Sequence, residues 1–193
     1  MDSNLDITIV VYMGGCCGDL VTALIDHNDV DLNIAFRTVR LSEQRQRLKK
    51  HYEFVDDQEK DSYLNNISRT YNSVPSHDID YHVSRQHSFI GITVTDPSTA
   101  LWAATRFRDA HRPEVWHNIT QTCGIQHVEE YAQLLLDYSS MLSSRTDFLV
   151  DVKTIRQGAL LSQLELLVAR KVSHKAHNCY RNWLDMQSGM LLV

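Results

Sequence analysis

Residues 6–26 read DITIVVYMGGCCGDLVTALID. The β-branched run Ile7, Thr8, Ile9, Val10 and Val11 gives way to Gly14–Gly15, and Gly18 follows three residues later. From Asp19 the apolar positions Leu20, Ala23 and Leu24 recur at helical spacing. A buried strand, a glycine-rich turn and the first turns of a helix follow from that order, which places the chain in the α/β class. Such a turn aims several backbone N–H groups, and the positive end of a helix dipole, at one point. Phosphate or sulfate is the natural occupant.

The turn resembles the phosphate-binding loop of P-loop proteins and departs from GxxxxGK[ST] at the residues that matter most. Asp19 stands where the lysine belongs, Leu20 replaces the Ser or Thr, and Gly14 and Gly18 lie one residue closer than the usual spacing. A carboxylate beside a polyphosphate repels it unless a metal or an arginine intervenes. Two readings follow. In one, Gly14, Gly15, Cys16, Cys17, Gly18, Asp19 and Leu20 cradle an anion; in the other, the segment is a tight turn in which Asp19 caps the helix. Cys16 and Cys17 serve the first as small residues that let the backbone close. A nucleophilic cysteine, its thiol pKa lowered by the helix terminus, is the alternative.

Composition sets limits on function. The 193 residues suit one domain with a sizeable core. No run of about 18 apolar residues exists, so no membrane span is expected. The acidic start MDSNLD lacks the basic segment of a signal peptide. A formal charge of −5 argues against a surface coated in positive potential but leaves room for a local nucleic-acid patch. The four cysteines show no CxxC spacing and no zinc pattern, so reduced thiols in the cytoplasm are expected.

Beyond the first helix, residues 31–39 alternate Leu32, Ile34 and Phe36 and suit a second strand. Residues 41–71 are strongly charged, with sparse anchors at Leu48, Tyr52, Tyr63, Leu64 and Ile67, and read as two largely solvent-facing helices. The insertion or lid over 40–71 carries a basic cluster, Arg40, Arg45, Arg47, Lys49 and Lys50, which is either a solvated face or an arm for a polyanion. Residues 72–88 read as a polar loop in which His77, Asp78, Asp80 and His82 crowd together. There an imidazole can take a proton from a hydroxyl while a carboxylate orients the ring; local turns, or a metal held by His77, His82 and His87, are the other readings. Phe89–Val94 suits a strand ended by Asp96–Pro97, and a helix from Pro97 bears Arg106 and Arg108 as candidate anion clamps. Amphipathic helices follow over 126–144 and from Ile155 to Val168, with a strand at 148–152 before the second and a last helix anchored by Tyr180, Trp183 and Leu184.

The order of glycine-rich turn, His-bearing segment, strand ending in Asp-Pro and Arg-bearing helix resembles the P-loop kinase and sulfotransferase superfamily. The residues that carry the likeness are YMGGCCGDLVTALID, TDPSTALWAATRF and FLVDVKTIRQGALLSQLELL. Around the first of these the chain also looks like the bacteriophage DNA kinases that phosphorylate 5-hydroxymethyluracil. The resemblance implies a three-layer, mainly parallel α/β domain that moves a phosphoryl group from ATP or another nucleotide, with Mg²⁺, to a hydroxyl, DNA being a partner. A sulfotransferase-like enzyme and a non-catalytic P-loop-like module are the alternatives. Gly14 to Leu20 and Arg106 would hold the nucleotide and His77 would be the base beside Asp78; where Mg²⁺ takes part, Asp19 or Asp96 would help to hold it.

Overall fold

A computed structural model describes residues 7–26, 30–33, 38–41, 56–68, 71–110, 113–146, 148–168 and 171–188. The expected first strand is β1 (Thr8–Val11) and the helix after the turn is α1 (Gly18–Asp26). Residues 30–41 hold two strands rather than one, β2 (Val30–Asn33) and β3 (Thr38–Leu41), paired antiparallel with Val30 opposite Leu41. Then come α2 (Asp57–Ile67), β4 (Ser73–Ser76), α3 (Ile79–Ser84) and β5 (Phe89–Thr93). The C-terminal half contains α4 (Pro97–Ala110), α5 (Pro113–Cys123), α6 (Val128–Ser143), β6 (Leu149–Asp151), α7 (Val152–Arg156), α8 (Leu160–Leu167) and α9 (His174–Ser188).

The four strands β4-β1-β5-β6 form a wholly parallel sheet in that order. Burial on both faces is what a β-branched run is suited to, and β1 lies inside the sheet with Ile9, Val10 and Val11 all buried. Side chains alternate across a strand. Val10 belongs to the apolar cluster that includes residues of α1, α4, α6, α8 and α9, whereas Ile9 and Val11 belong to a second cluster with Leu64 and Ile67 of α2, Ile79 and Tyr81 of α3, and Phe89. Helices therefore cover both faces of the sheet.

The chain moves from β1 to β4 on one side, then crosses to β5 on the other. Open parallel sheets bind ligands at the carboxyl ends of the strands where such a reversal occurs. The turn after Val11 stands at that place.

Two stretches differ from the sequence expectation. The polar segment before β5 holds both β4 and α3; Pro75 is tolerated because β4 is the outer strand among those described. The helix expected over 155–168 is broken into α7 and α8, with Gly158 at φ 84° between them. Of the two helices expected over 41–71, residues 42–55 lie outside the described residues, as do Arg45, Arg47, Lys49 and Lys50; α2 docks Leu64 and Ile67 against the sheet.

Candidate functional site

The turn from Tyr12 to Asp19 is built by packing. At Gly15 φ is 92°, and an added Cβ would stand 2.4 Å from the Ala103 carbonyl oxygen of α4. A Cβ at Gly14 would meet the Phe107 ring at 2.3 Å, and one at Gly18 the Tyr12 ring at 2.0 Å. The glycines let the turn lie flush against α4 and beneath Tyr12. φ is positive at Gly15 and at Cys17 (61°) but not at Gly14 or Cys16, an alternation of sign that nests share. Cys16 N–H is spent on the Met13 carbonyl at 3.2 Å. Among the described residues, the N–H groups of Gly14, Gly15, Cys17 and Gly18 donate to no protein acceptor.

The charges around the turn do not all match the expectation. Asp19 lies inside the first turn of α1 and accepts a 2.5 Å hydrogen bond from the Tyr12 hydroxyl. Leu20 is a core residue, leaving only its backbone for a ligand. Arg106 reaches back to the Gly15 carbonyl at 3.5 Å, its guanidinium 5.7 Å from the Trp102 ring. Arg156 of α7 lies over that same ring at 4.5 Å. Cys16 and Cys17 are buried, and burial pushes both thiols well above their ordinary pKa; at Cys17 the nearby Arg106 and Arg156 oppose that effect without overcoming it. Both remain protonated, which disfavours the nucleophilic alternative.

The second part of the site is a cavity of about 240 Å³ beneath the carboxyl end of β4. Tyr63, Leu64, Val74, Pro75 and Tyr81 give it an apolar wall, and Lys60, Ser76, His77, Asp78 and His82 bring polar groups. His77 Nδ1 is 2.5 Å from the Tyr12 carbonyl. A carbonyl only accepts, so Nδ1 carries the hydrogen and Nε2 is the basic nitrogen. Asp78 does not orient that ring. It caps α3 by accepting from Tyr81 N–H and pairs with Lys60 Nζ at 2.5 Å. Burial acts to raise the Asp78 pKa, but the Lys60 and Tyr81 hydrogen bonds outweigh it and hold the carboxyl below its usual value.

His82 turns inward, Nε2 lying 2.8 Å from Ser76 Oγ and Nδ1 lying 3.2 Å from His87 Nδ1. His77 therefore faces Tyr12 while His82 and His87 face each other. Among the described residues no group of three or more His, Cys, Asp or Glu is arranged to hold a metal. Asp96 spends its oxygens on Ser98 Oγ, Thr99 Oγ1 and Thr99 N–H at the start of α4. Arg108 is paired with Asp109 on the surface.

The sequence reading named none of four residues in these two clusters: Lys60, Ser76, Asp151 and Arg156. Asp151 ends β6 and caps α7 through Oδ1, and its buried Oδ2 has no hydrogen-bond partner among the described residues. The FLVDVKTIR segment carried a signal for Asp151 and Arg156, an Asp at a strand end followed by a helical Arg.

Comparison of the chain with protein-family models, curated proteins and solved structures finds no match. Among the described residues no helix is long and apolar enough to cross a membrane.

Proposed function

We propose that this chain is a P-loop-like phosphotransferase. A nucleoside triphosphate is held at the turn 14–19, and an acceptor hydroxyl enters the cavity beneath β4. The observation that carries the reading is the hydrogen bond from His77 Nδ1 to the Tyr12 carbonyl, which ties a histidine of the cavity to the residue that opens the turn. His77 Nε2 takes the proton of the acceptor hydroxyl. The oxygen attacks the γ-phosphorus, the bond to the bridging oxygen breaks, and the nucleoside diphosphate leaves.

Support at the donor end comes from the uncommitted N–H groups of Gly14, Gly15, Cys17 and Gly18, with Arg106 and Arg156 as the nearby cations. The two arginines take over the charge that a P-loop lysine normally supplies. Magnesium neutralises phosphate charge in such reactions. Asp96 fits it poorly because Ser98 and Thr99 occupy its oxygens, whereas Asp151 Oδ2 is a buried carboxylate oxygen with no hydrogen-bond partner among the described residues. Hydroxymethylated bases in DNA are the first acceptors to try.

A second reading, a non-catalytic module of the same fold, is favoured by the Asp19 carboxylate held by Tyr12 where the lysine would be. Incubation with ATP labelled on the γ-phosphate and with hydroxymethylated or plain DNA separates the two. Label on the DNA is the result expected of the enzyme. Nucleotide binding with no label on any hydroxyl acceptor favours the module.

A further inference from the structure

Phosphoryl transfer as proposed above makes no use of the most enclosed polar group in the cavity. Ser76 and His82 are 4% and 2% exposed, yet both line the cavity wall. Ser76 Oγ accepts the Asp78 N–H at 3.1 Å and lies 2.8 Å from His82 Nε2. His82 Nδ1 in turn lies 3.2 Å from His87 Nδ1. Two assignments of hydrogens satisfy the contacts in this chain, and they differ in whether Ser76 Oγ donates to His82 Nε2 or accepts from it. In the one that primes the hydroxyl, Ser76 O–H donates to His82 Nε2, His82 Nδ1–H donates to His87 Nδ1, and His87 carries its proton on Nε2. Burial holds the pKa of His87 below its ordinary value against the opposing effect of Asp61, and so favours the neutral ring that can accept.

A hydroxyl bonded to an imidazole that is itself oriented by a third group is the arrangement that activates a serine nucleophile. We propose that Ser76 is a nucleophile, that His82 is its base with His87 as positioning residue, and that the cavity takes neutral carboxylic esters with an apolar acyl group. Tyr63, Leu64, Val74, Pro75 and Tyr81 supply the apolar wall for that acyl group. The Lys60 ammonium on the same wall is already paired with Asp78, so the cavity is better suited to a neutral substrate than to an anion. Ser76 Oγ adds to the ester carbonyl as its proton passes to His82 Nε2. The tetrahedral adduct then collapses, the C–O bond to the alcohol breaks, and His82 returns the proton to the leaving alkoxide. Water, deprotonated by His82, cleaves the acyl-serine and regenerates the hydroxyl.

The test uses the full chain and an alkyl fluorophosphonate. Ser76 Oγ displaces fluoride from phosphorus and forms a stable adduct that peptide mass spectrometry locates. The expected result is a single adduct, on Ser76, whose rate of formation rises through the titration range of histidine, between about pH 5 and 8. His82→Gln should slow it by about 10²–10⁴-fold. His87→Gln, at a half-buried position, should slow it less and shift the pH profile. The labelling reaction contains no nucleotide and no hydroxyl acceptor, so failure of the phosphotransferase reading leaves this result intact. Absence of a Ser76 adduct in folded wild-type protein would overturn the proposal. So would labelling elsewhere alone, or a rate on Ser76 that is independent of pH across that range.

Discussion

At the scale of single residues, Gly18 and Asp78 show how function and packing share the same atoms. The Gly18 hydrogen faces the Tyr12 ring, and Tyr12 in turn holds Asp19 through its hydroxyl and His77 through its carbonyl. Gly18→Val forces that ring aside, and overpacking of this kind costs about 1–3 kcal/mol. A lowered thermal midpoint together with weakened nucleotide binding is therefore expected. An unchanged midpoint in the variant would contradict the packing. The Asp78–Lys60 pair yields a dependence on pH. Because the folded-state pKa of Asp78 is depressed, its contribution is complete above the ordinary value of 3.8 and is lost as pH falls through the folded value. Lys60→Met should remove most of it and move the acid-unfolding midpoint to higher pH. At neutral pH the loss is expected to be only about 0.5–1 kcal/mol, because the pair is partly open to solvent. Acid titration followed by circular dichroism reads both quantities, and superimposable acid limbs would show that the pair contributes nothing.

Among the elements, those with a strong internal period were legible and those defined by their neighbours were not. β1 and α6 follow directly from a β-branched run and from helical spacing through Tyr131, Leu135 and Leu142. β4 is a strand of sequence SVPS, two serines and a proline, whose extended form comes from pairing with β1 rather than from its own preference. The break between α7 and α8 rests on one glycine in the left-handed region, a weak signal within an otherwise apolar stretch. The site divides in the same way. Gly14 to Gly18 and His77 could be named from the chain alone. The Lys60–Asp78 and Ser76–His82 partnerships depend on how α2 and α3 lie against the sheet, and the approach of Arg156 to Trp102 on how α7 meets α4. Helix α4 offers a test at this scale. Asp96 accepts three hydrogen bonds at its start, so Asp96→Ala should cost about 0.5–2 kcal/mol of stability, with Asp96→Asn costing less. Chemical denaturation measures it, and equal midpoints for wild type and Asp96→Ala would show that the cap contributes nothing.

Over the whole molecule, a parallel sheet ordered β4-β1-β5-β6 brings two kinds of chemistry to one edge. The ends of β1 and β6, with α4 and α7, provide N–H groups that donate to no protein acceptor among the described residues, two guanidinium groups and a buried carboxylate oxygen. The end of β4 provides histidines and a cavity. Tyr12 lies between the two and is bonded to both, through Asp19 on one side and His77 on the other. The α/β class follows from the first 26 residues, whereas this division of the edge depends on strand order, which local sequence patterns do not specify. If the edge is a donor site and an acceptor site joined at Tyr12, His77 acts on the acceptor and leaves nucleotide affinity alone. The most direct test is single-turnover transfer of γ-phosphate label to an acceptor hydroxyl by wild type and His77→Ala, with nucleotide affinity measured on both. A fall of about 10²–10⁴-fold in the transfer rate at unchanged nucleotide Kd is the expected result, and equal transfer rates in the two proteins would contradict it.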